Sequence, residues 1–361
     1  MIIRSLELTD YRNYESLSIS FGSGINILYG DNAQGKTNIL EAIFLASTTK
    51  SHRGTKDKDI IRFGCDEGHL RTMILRDDVD TKIDIHLRNS RSKVIAIDSK
   101  RIKKATELLG LLKVVFFSPE DLNIIKNGPG ERRRFTDMEL CQLDDFYLYN
   151  LTNYNRIVDQ RNTLLKDLYF NPSLKETIGI WDSQLVSFGS KIIERRKTFV
   201  DQLNEVIAPV HERLSGGRES LKIIYDPNVS IDDFDKELSN STERDIKSKM
   251  TNVGPHRDDF IFMSGDLDIR RFGSQGQQRT AALSLKLAEI EIVKKLINDT
   301  PVLLLDDVLS ELDSNRQNFL LDSIGEVQTI ITCTGVEDFV NSRLKIDKLF
   351  EISGGKLISE R

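Results

Sequence analysis

The sequence predicts an α/β protein whose two ends build one sheet and whose middle is a mostly helical insertion. Three observations carry that expectation. A glycine-rich loop joins a strand-like run to a helix-like run near the N-terminus, and an apolar run near the C-terminus ends in two aspartates. Between them, roughly eighty residues space their apolar side chains by three or four.

The loop is Gly30-Asp31-Asn32-Ala33-Gln34-Gly35-Lys36-Thr37, after Ile25, Ile27 and Leu28 and before Ile39-Leu40-Glu41-Ala42-Ile43-Phe44-Leu45. Strand, glycine-rich loop and helix are the context a phosphate-binding loop needs. Its glycines let backbone N–H groups turn inward around phosphate oxygens. The helix N-terminus adds partial positive charge there. Lys36 is placed to reach β and γ phosphates, and Thr37 offers a hydroxyl to Mg²⁺. The bland alternative is an ordinary strand-to-helix loop.

With 361 residues the chain has room for about two domains. A hydrophobic content of 39% with 30% charged residues suits a globular protein with a sizeable core. The longest apolar runs fall far short of the ~20 residues of a membrane span. The N-terminus reads as an amphipathic strand without a signal-peptide layout. Cys65, Cys141 and Cys333 lie far apart with no zinc-finger spacing, so a cytoplasmic setting without a structural metal cluster is expected. A net charge of −5 excludes a wholly basic nucleic-acid coat but leaves room for a local basic face.

In order, the chain predicts strands at Ile2–Leu8, Ser16–Phe21 and Ile25–Tyr29, the loop, and its helix. The stretch Thr48 to Lys56 is too rich in Ser, Thr and Lys for core. Residues 70–103 alternate with strand periodicity and one wet face, and Val114–Phe117 is a further strand. Gly128-Pro129-Gly130 opens the helical insertion, which Asn171-Pro172 interrupts. The expected organisation is residues 1–126 as the first part of an α/β domain, 127–215 as the helical insertion, and 216–361 as the second part of the α/β domain.

Pro301-Val302-Leu303-Leu304-Leu305-Asp306-Asp307 reads as a buried parallel strand, apolar on both faces. Its carboxyl end puts Asp306 where it can hold Mg²⁺ and Asp307 where it can orient an attacking water. A solvated acidic turn is the alternative. If both aspartates meet the loop at one nucleotide, the chain's two ends must share a sheet. Gly273-Ser274-Gln275-Gly276-Gln277-Gln278 opens a long amphipathic helix over Thr280–Ile297. It serves as an N-cap or as a second anion site.

That last stretch resembles the signature motif of ABC-type ATPases, and Leu309-Ser310-Glu311-Leu312-Asp313 resembles their D-loop. Further segments match in order: Leu6 to Tyr14, Phe117-Ser118-Pro119-Glu120-Asp121-Leu122, Arg132-Arg133-Arg134-Phe135, and Val253-Gly254-Pro255-His256-Arg257-Asp258-Asp259-Phe260. Together they resemble the RecF family of bacterial recombination mediators, short relatives of the SMC and Rad50 ATPases. The resemblance implies an ABC-type ATPase head (a P-loop NTPase) with a mostly helical lid, and ATP and Mg²⁺ as cofactors. It implies a weak, DNA-stimulated ATPase that forms a homodimer on ATP and binds double-stranded DNA near single-strand gaps and junctions. With RecR and RecO, such a protein promotes RecA loading onto single strands coated with single-strand-binding protein. It also supports replication restart and the SOS response, without a membrane partner and in the cytoplasm, at the nucleoid when on DNA. By position, Lys36, Asp306, Asp307 and Ser274 carry catalysis, Ser274 acting across the dimer. Residues 30–37 with Arg12 and Asn13 bind nucleotide, and Thr37 and Asp306 hold Mg²⁺.

Asp307 is one methylene shorter than the usual Glu, and Thr332-Cys333-Thr334 stands where many relatives place a switch histidine; both suggest slow turnover. The basic run Arg88, Arg91, Lys93, Lys100, Arg101, Lys103 and Lys104 is a candidate for phosphate contact or a solvated strand face. Arg132 to Arg134 could meet DNA or anchor the lid. His52 and Arg53 are candidates near phosphate or DNA, whereas His256 suits a structural turn. The rival reading is the nucleotide-binding subunit of a transporter. The longer insertion, Asp307 and Tyr11-Arg12-Asn13 speak against it.

Overall fold

A computed structural model describes residues 1–168, 171–297, 299–325, 327–335 and 345–361. The chain divides into two compact units, Met1–Asp121 with Glu289–Arg361, and Leu122–Ala288.

The first unit joins both ends of the chain in one sheet, ordered Lys356–Glu360, Ile346–Ser353, Ile25–Tyr29, Thr329–Cys333, Val302–Asp306, Val114–Phe117. All neighbours are parallel except the C-terminal hairpin. Val114–Phe117, Val302–Asp306 and Thr329–Cys333 are buried along their whole length, as continuous apolar runs in a two-sided parallel sheet require. The register sets Asp306 opposite Thr332 and Tyr29 opposite Cys333. Both aspartates and the loop therefore emerge at the carboxyl ends of two parallel strands that flank Thr329–Cys333. A second, antiparallel sheet runs Tyr14–Ser20, Ile2–Tyr11, Glu67–Arg76, Val79–Arg88, Val94–Ile97, Lys100–Arg101. Its longest hairpin turns at Asp77 and Asp78, both at positive φ (50° and 60°), as a tight two-residue turn demands.

Thr48, Thr49 and Ser51, expected at the surface, are buried. Two of these hydroxyls find acceptors inside: Ser51 donates to Glu41 at 2.5 Å and Thr48 to the Phe44 carbonyl at 2.8 Å. Composition misleads here because short hydroxyl side chains satisfy themselves locally.

The second unit holds the helices Pro129–Leu143, Asp145–Asp167 and Ile178–Leu214 with a small sheet of Lys222–Asp226, Asp259–Ser264 and Leu267–Asp268. Pro129 starts its helix, where the missing N–H costs nothing. Residues 216–288, set with the second part of the α/β domain from the sequence, group in the structure with the helical insertion. The reason is packing and charge. Lys222–Asp226 lies on the long helix, and Arg132 forks onto Asp259 at 2.6 and 3.0 Å. Arg132 is thus an anchor inside this unit, and Arg133 donates to the Asp258 carbonyl at 2.6 Å. His256 has the structural role expected, between the Tyr154 hydroxyl (2.7 Å) and the Thr251 carbonyl (3.0 Å).

Candidate nucleotide site

The loop leaves the strand Ile25–Tyr29 and enters the helix Lys36–Thr48. Gly30 and Gly35 hold φ of 144° and 116°, a region L side chains rarely adopt. Space forbids a side chain as well. A Cβ on Gly30 would lie 2.2 Å from the Ile352 carbonyl, and one on Gly35 would lie 2.6 Å from the Asn13 amide nitrogen. Gln34 ties the loop to the C-terminal hairpin, accepting from Gly354 N at 2.6 Å and Gly355 N at 3.1 Å. Asn13 donates to the Gln34 carbonyl at 2.9 Å and accepts from Asn38 at 2.8 Å. It supports the loop from outside.

Lys36 is buried, and its ammonium caps the carbonyls of Gly30 (2.6 Å) and Asp31 (2.7 Å). Burial lowers its pKa, and Asp307, Cys333 and Asp306 counter part of that. The lysine is thus a desolvated cation whose hydrogen-bond partners among the described residues are carbonyls.

Thr37 donates to Asp306 Oδ1 at 2.7 Å across 269 residues of chain. Asp306 is 8% exposed. Burial pushes its carboxyl above the usual range against the hydroxyls of Thr37 and Thr332 and the more distant charge of Arg53. Among the described residues no ion pair reaches it. A buried carboxylate beside a hydroxyl fits a hard divalent cation, which takes oxygen donors and, as Mg²⁺, asks for only one or two carboxylates. No cluster of three His, Cys, Asp or Glu side chains able to hold a metal occurs among the described residues, so a cation here would need ligand oxygens too. Asp307 follows at φ 53°, strain of about 1–3 kcal/mol of the kind that gathers at functional sites.

Arg12, expected at the nucleotide, is engaged elsewhere. It forks onto Glu41 at 2.6 and 2.8 Å and donates to the Asp59 carbonyl at 2.8 Å. Burial works against the Glu41 charge, but the Arg12 and Ser51 hydrogen bonds outweigh it and hold the carboxyl below its usual range. His52 packs at a tilt against Phe116, ring centres 4.4 Å apart, while Arg53 is exposed and close enough for its charge to act on Asp306. Glu41 and Thr332 went unremarked as partners. Glu41 sits in an apolar run, and a carboxylate there is a signal for a buried cation partner.

In the second unit, the helix Gln275–Ile297 begins earlier than expected, so the signature-like residues form its first turn. Ser274 is exposed and makes a reciprocal cap with Gln277, its Oγ accepting from Gln277 N at 3.2 Å and its N–H donating to Gln277 Oε1 at 2.8 Å. Asp313 caps Ser314–Ile324 through Asn315 N and Arg316 N.

The RecF/RecN/SMC N terminal domain family matches residues 2–355. A DNA replication and repair protein RecF of Lachnospira eligens is 59% identical over the whole of both chains. The chain belongs to the RecF family. A RecF of Lachnoclostridium phytofermentans is 58% identical over 98% of this chain and 99% of its own, and one of Clostridium botulinum 44% identical over 99% of both. A solved structure of the recombination mediator protein RecF with ATP, of the RecFOR pathway, superposes at TM-score 0.93 with 34% identity, covering 99% of this chain and 97% of that one. An SMC head bound to the C-winged helix domain of ScpA matches at TM-score 0.59 and 18% identity, over 100% and 98% of the two chains, which speaks to fold alone. The fold is that of an ABC-type ATPase head carrying a mostly helical insertion. No helix among the described residues is long and apolar enough to cross a membrane.

Proposed function

We propose that this RecF-family protein is an ATP-driven, DNA-binding switch of recombinational repair. The observation that carries the reading is the 2.7 Å hydrogen bond from Thr37 to Asp306, which joins the phosphate loop to the carboxylate strand. The loop N–H groups and the Lys36 ammonium bind the phosphates, Lys36 trading two carbonyls for them. Thr37 and Asp306 hold Mg²⁺. Held there, Mg²⁺ would supply Lewis-acid stabilisation of phosphate charge. Asp307 orients the attacking water and takes its proton. Its side chain, shorter than Glu, suits slow hydrolysis. Asn13 holds the loop's shape, and Arg12 fixes the helix beneath it through Glu41.

Ser274, exposed at a helix start, serves the nucleotide of a second copy, so that ATP makes the homodimer and hydrolysis opens it. The exposed Arg91, Lys100, Arg101, Lys103 and Lys104 contact the phosphate backbone of duplex DNA near single-strand gaps. This local basic strip offsets a net charge of −5, and binding through it weakens with salt. RecR and RecO are the partners with which it promotes RecA loading.

Sedimentation with and without ATP and Mg²⁺, and then with labelled duplex DNA, tests the reading. A monomer that becomes a DNA-bound dimer only with ATP is the expected result. Ser274→Ala should keep ATP binding by the monomer and lose the dimer. A protein that stays monomeric and ignores DNA at modest salt overturns the reading in favour of a transporter subunit.

A further inference from the structure

We propose that Thr332 is a positioning residue whose single hydroxyl sets both site carboxylates, Asp306 and Asp307, at once. The proposal rests on the roles given above to those two aspartates. Thr332 is 2% exposed and lies opposite Asp306 in the parallel register. Its Oγ1 donates to Asp306 Oδ1 at 2.9 Å and accepts from Asp307 N at 2.9 Å.

The directions of these bonds follow from chemistry. A backbone N–H can only donate, so Asp307 takes a lone pair of the hydroxyl. The one hydroxyl proton then goes to Asp306. Oδ1 of Asp306 thus receives two hydroxyl donors, from Thr332 and from Thr37 at 2.7 Å. Its other oxygen has no donor among the described residues and is left for a ligand. The carboxylate cannot rotate without losing both bonds.

The second bond acts on backbone. Asp307 sits at φ 53°, where an L residue persists only if its surroundings hold it. The Thr332 hydroxyl holds its amide. A hydrophobic residue of the same shape would release the amide and one donor to Asp306 together. Thr332, inside the strand Thr329–Cys333, therefore acts on the water-orienting Asp307 through its backbone.

Thr332→Val keeps the shape and removes the hydroxyl; Thr332→Ser keeps the hydroxyl. Three quantities separate positioning from bulk structure. They are kcat against KM for ATP, the gain in nucleotide affinity on adding Mg²⁺, and hydrogen exchange of the Asp307 amide in nucleotide-free protein. In Thr332→Val, kcat and the Mg²⁺-dependent gain should each fall about 10- to 100-fold, as when groups that orient metal ligands are removed. KM for ATP with Mg²⁺ should rise by the affinity lost, ATP affinity without Mg²⁺ should change little, and the Asp307 amide should exchange faster. Thr332→Ser should restore all three. Wild-type turnover and exchange in the Val variant overturn the proposal, as does a Ser variant no better than Val. If the wild-type protein neither binds nor hydrolyses ATP, the proposed function itself fails. The exchange measurement, which needs no nucleotide, still decides the Thr332–Asp307 contact.

Discussion

Asp306 in the first unit and Asp258 in the second are both buried aspartates, yet they are furnished differently. Asp258 is completely buried and accepts from Arg196 at 2.8 Å, the Tyr225 hydroxyl at 2.5 Å and Asn228 N at 2.9 Å. Burial pushes its carboxyl up, and a guanidinium and two further donors face it and work against that rise. Arg196 in turn reaches Asp137 at 2.7 Å and the Pro255 carbonyl at 2.7 Å. Among the described residues Asp306 receives two hydroxyl hydrogen bonds and no ion pair. Burial of charge is costly unless it is paired. A carboxylate supplied with its cation by the chain is therefore architecture, and one supplied only with dipoles fits the cation-binding role proposed for Asp306.

The contrast breaks most sharply at Arg196. Arg196→Ala strips the cation from Asp258 and Asp137 and should cost about 3–5 kcal/mol of stability, the penalty of leaving buried charges unpaired. Denaturant unfolding followed by hydrogen exchange in residues 122–288 measures it. A loss below 1 kcal/mol on the scale of exposed pairs would show that Asp258 is no more saturated than Asp306.

Asp307→Asn touches function instead. It keeps size and the hydrogen bond from its amide to Thr332, and removes the proton acceptor. ATP turnover should fall about 10²- to 10³-fold, within the range for loss of a general base, while ATP affinity and melting temperature stay near wild type. Single-turnover hydrolysis beside equilibrium binding checks this. Turnover at the wild-type rate would move the water-orienting role to another residue.

The two regions also differ in how far the sequence exposed them. The phosphate loop and the strand ending at Asp306 were legible because each is a local pattern: glycines at fixed spacing, and an apolar run that stops at acid. Their meeting was inferable from what nucleotide chemistry requires. The partners that fix the site were not. Arg12 and Glu41 are 29 positions apart, and Thr332 and Asp306 are 26 apart. Nothing local in a threonine on a strand marks it as a hydrogen-bond hub. The grouping of residues 216–288 with the helices was hidden for a similar reason. It depends on Arg132 finding Asp259, 127 positions away, and a run of three arginines is equally at home on a surface.

The smallest expected effect tests the idea that Asp306 awaits a cation. Asp306→Asn keeps Oδ1 as acceptor for Thr37 and Thr332 and removes the charge. Because burial raises the folded carboxyl's pKa, the native state holds a proton more readily than the unfolded chain does. Wild-type stability from this group therefore falls as pH rises from the unfolded value, about 3.9, through the higher folded one. Above the unfolded value burial of this group opposes folding, and the Asn variant escapes that cost. Without nucleotide, Asp306→Asn should be more stable than wild type by about 1 kcal/mol at pH 7, in the range seen when function is traded for stability. The gap should close as acid protonates the wild-type carboxyl, and Mg²⁺-dependent nucleotide affinity should be lost throughout. Melting curves of both proteins across pH, with and without ATP and Mg²⁺, read all of this. A variant less stable than wild type at pH 7 would mean that the chain already satisfies Asp306 as it does Asp258, and that the cation the site awaits is not needed to explain it.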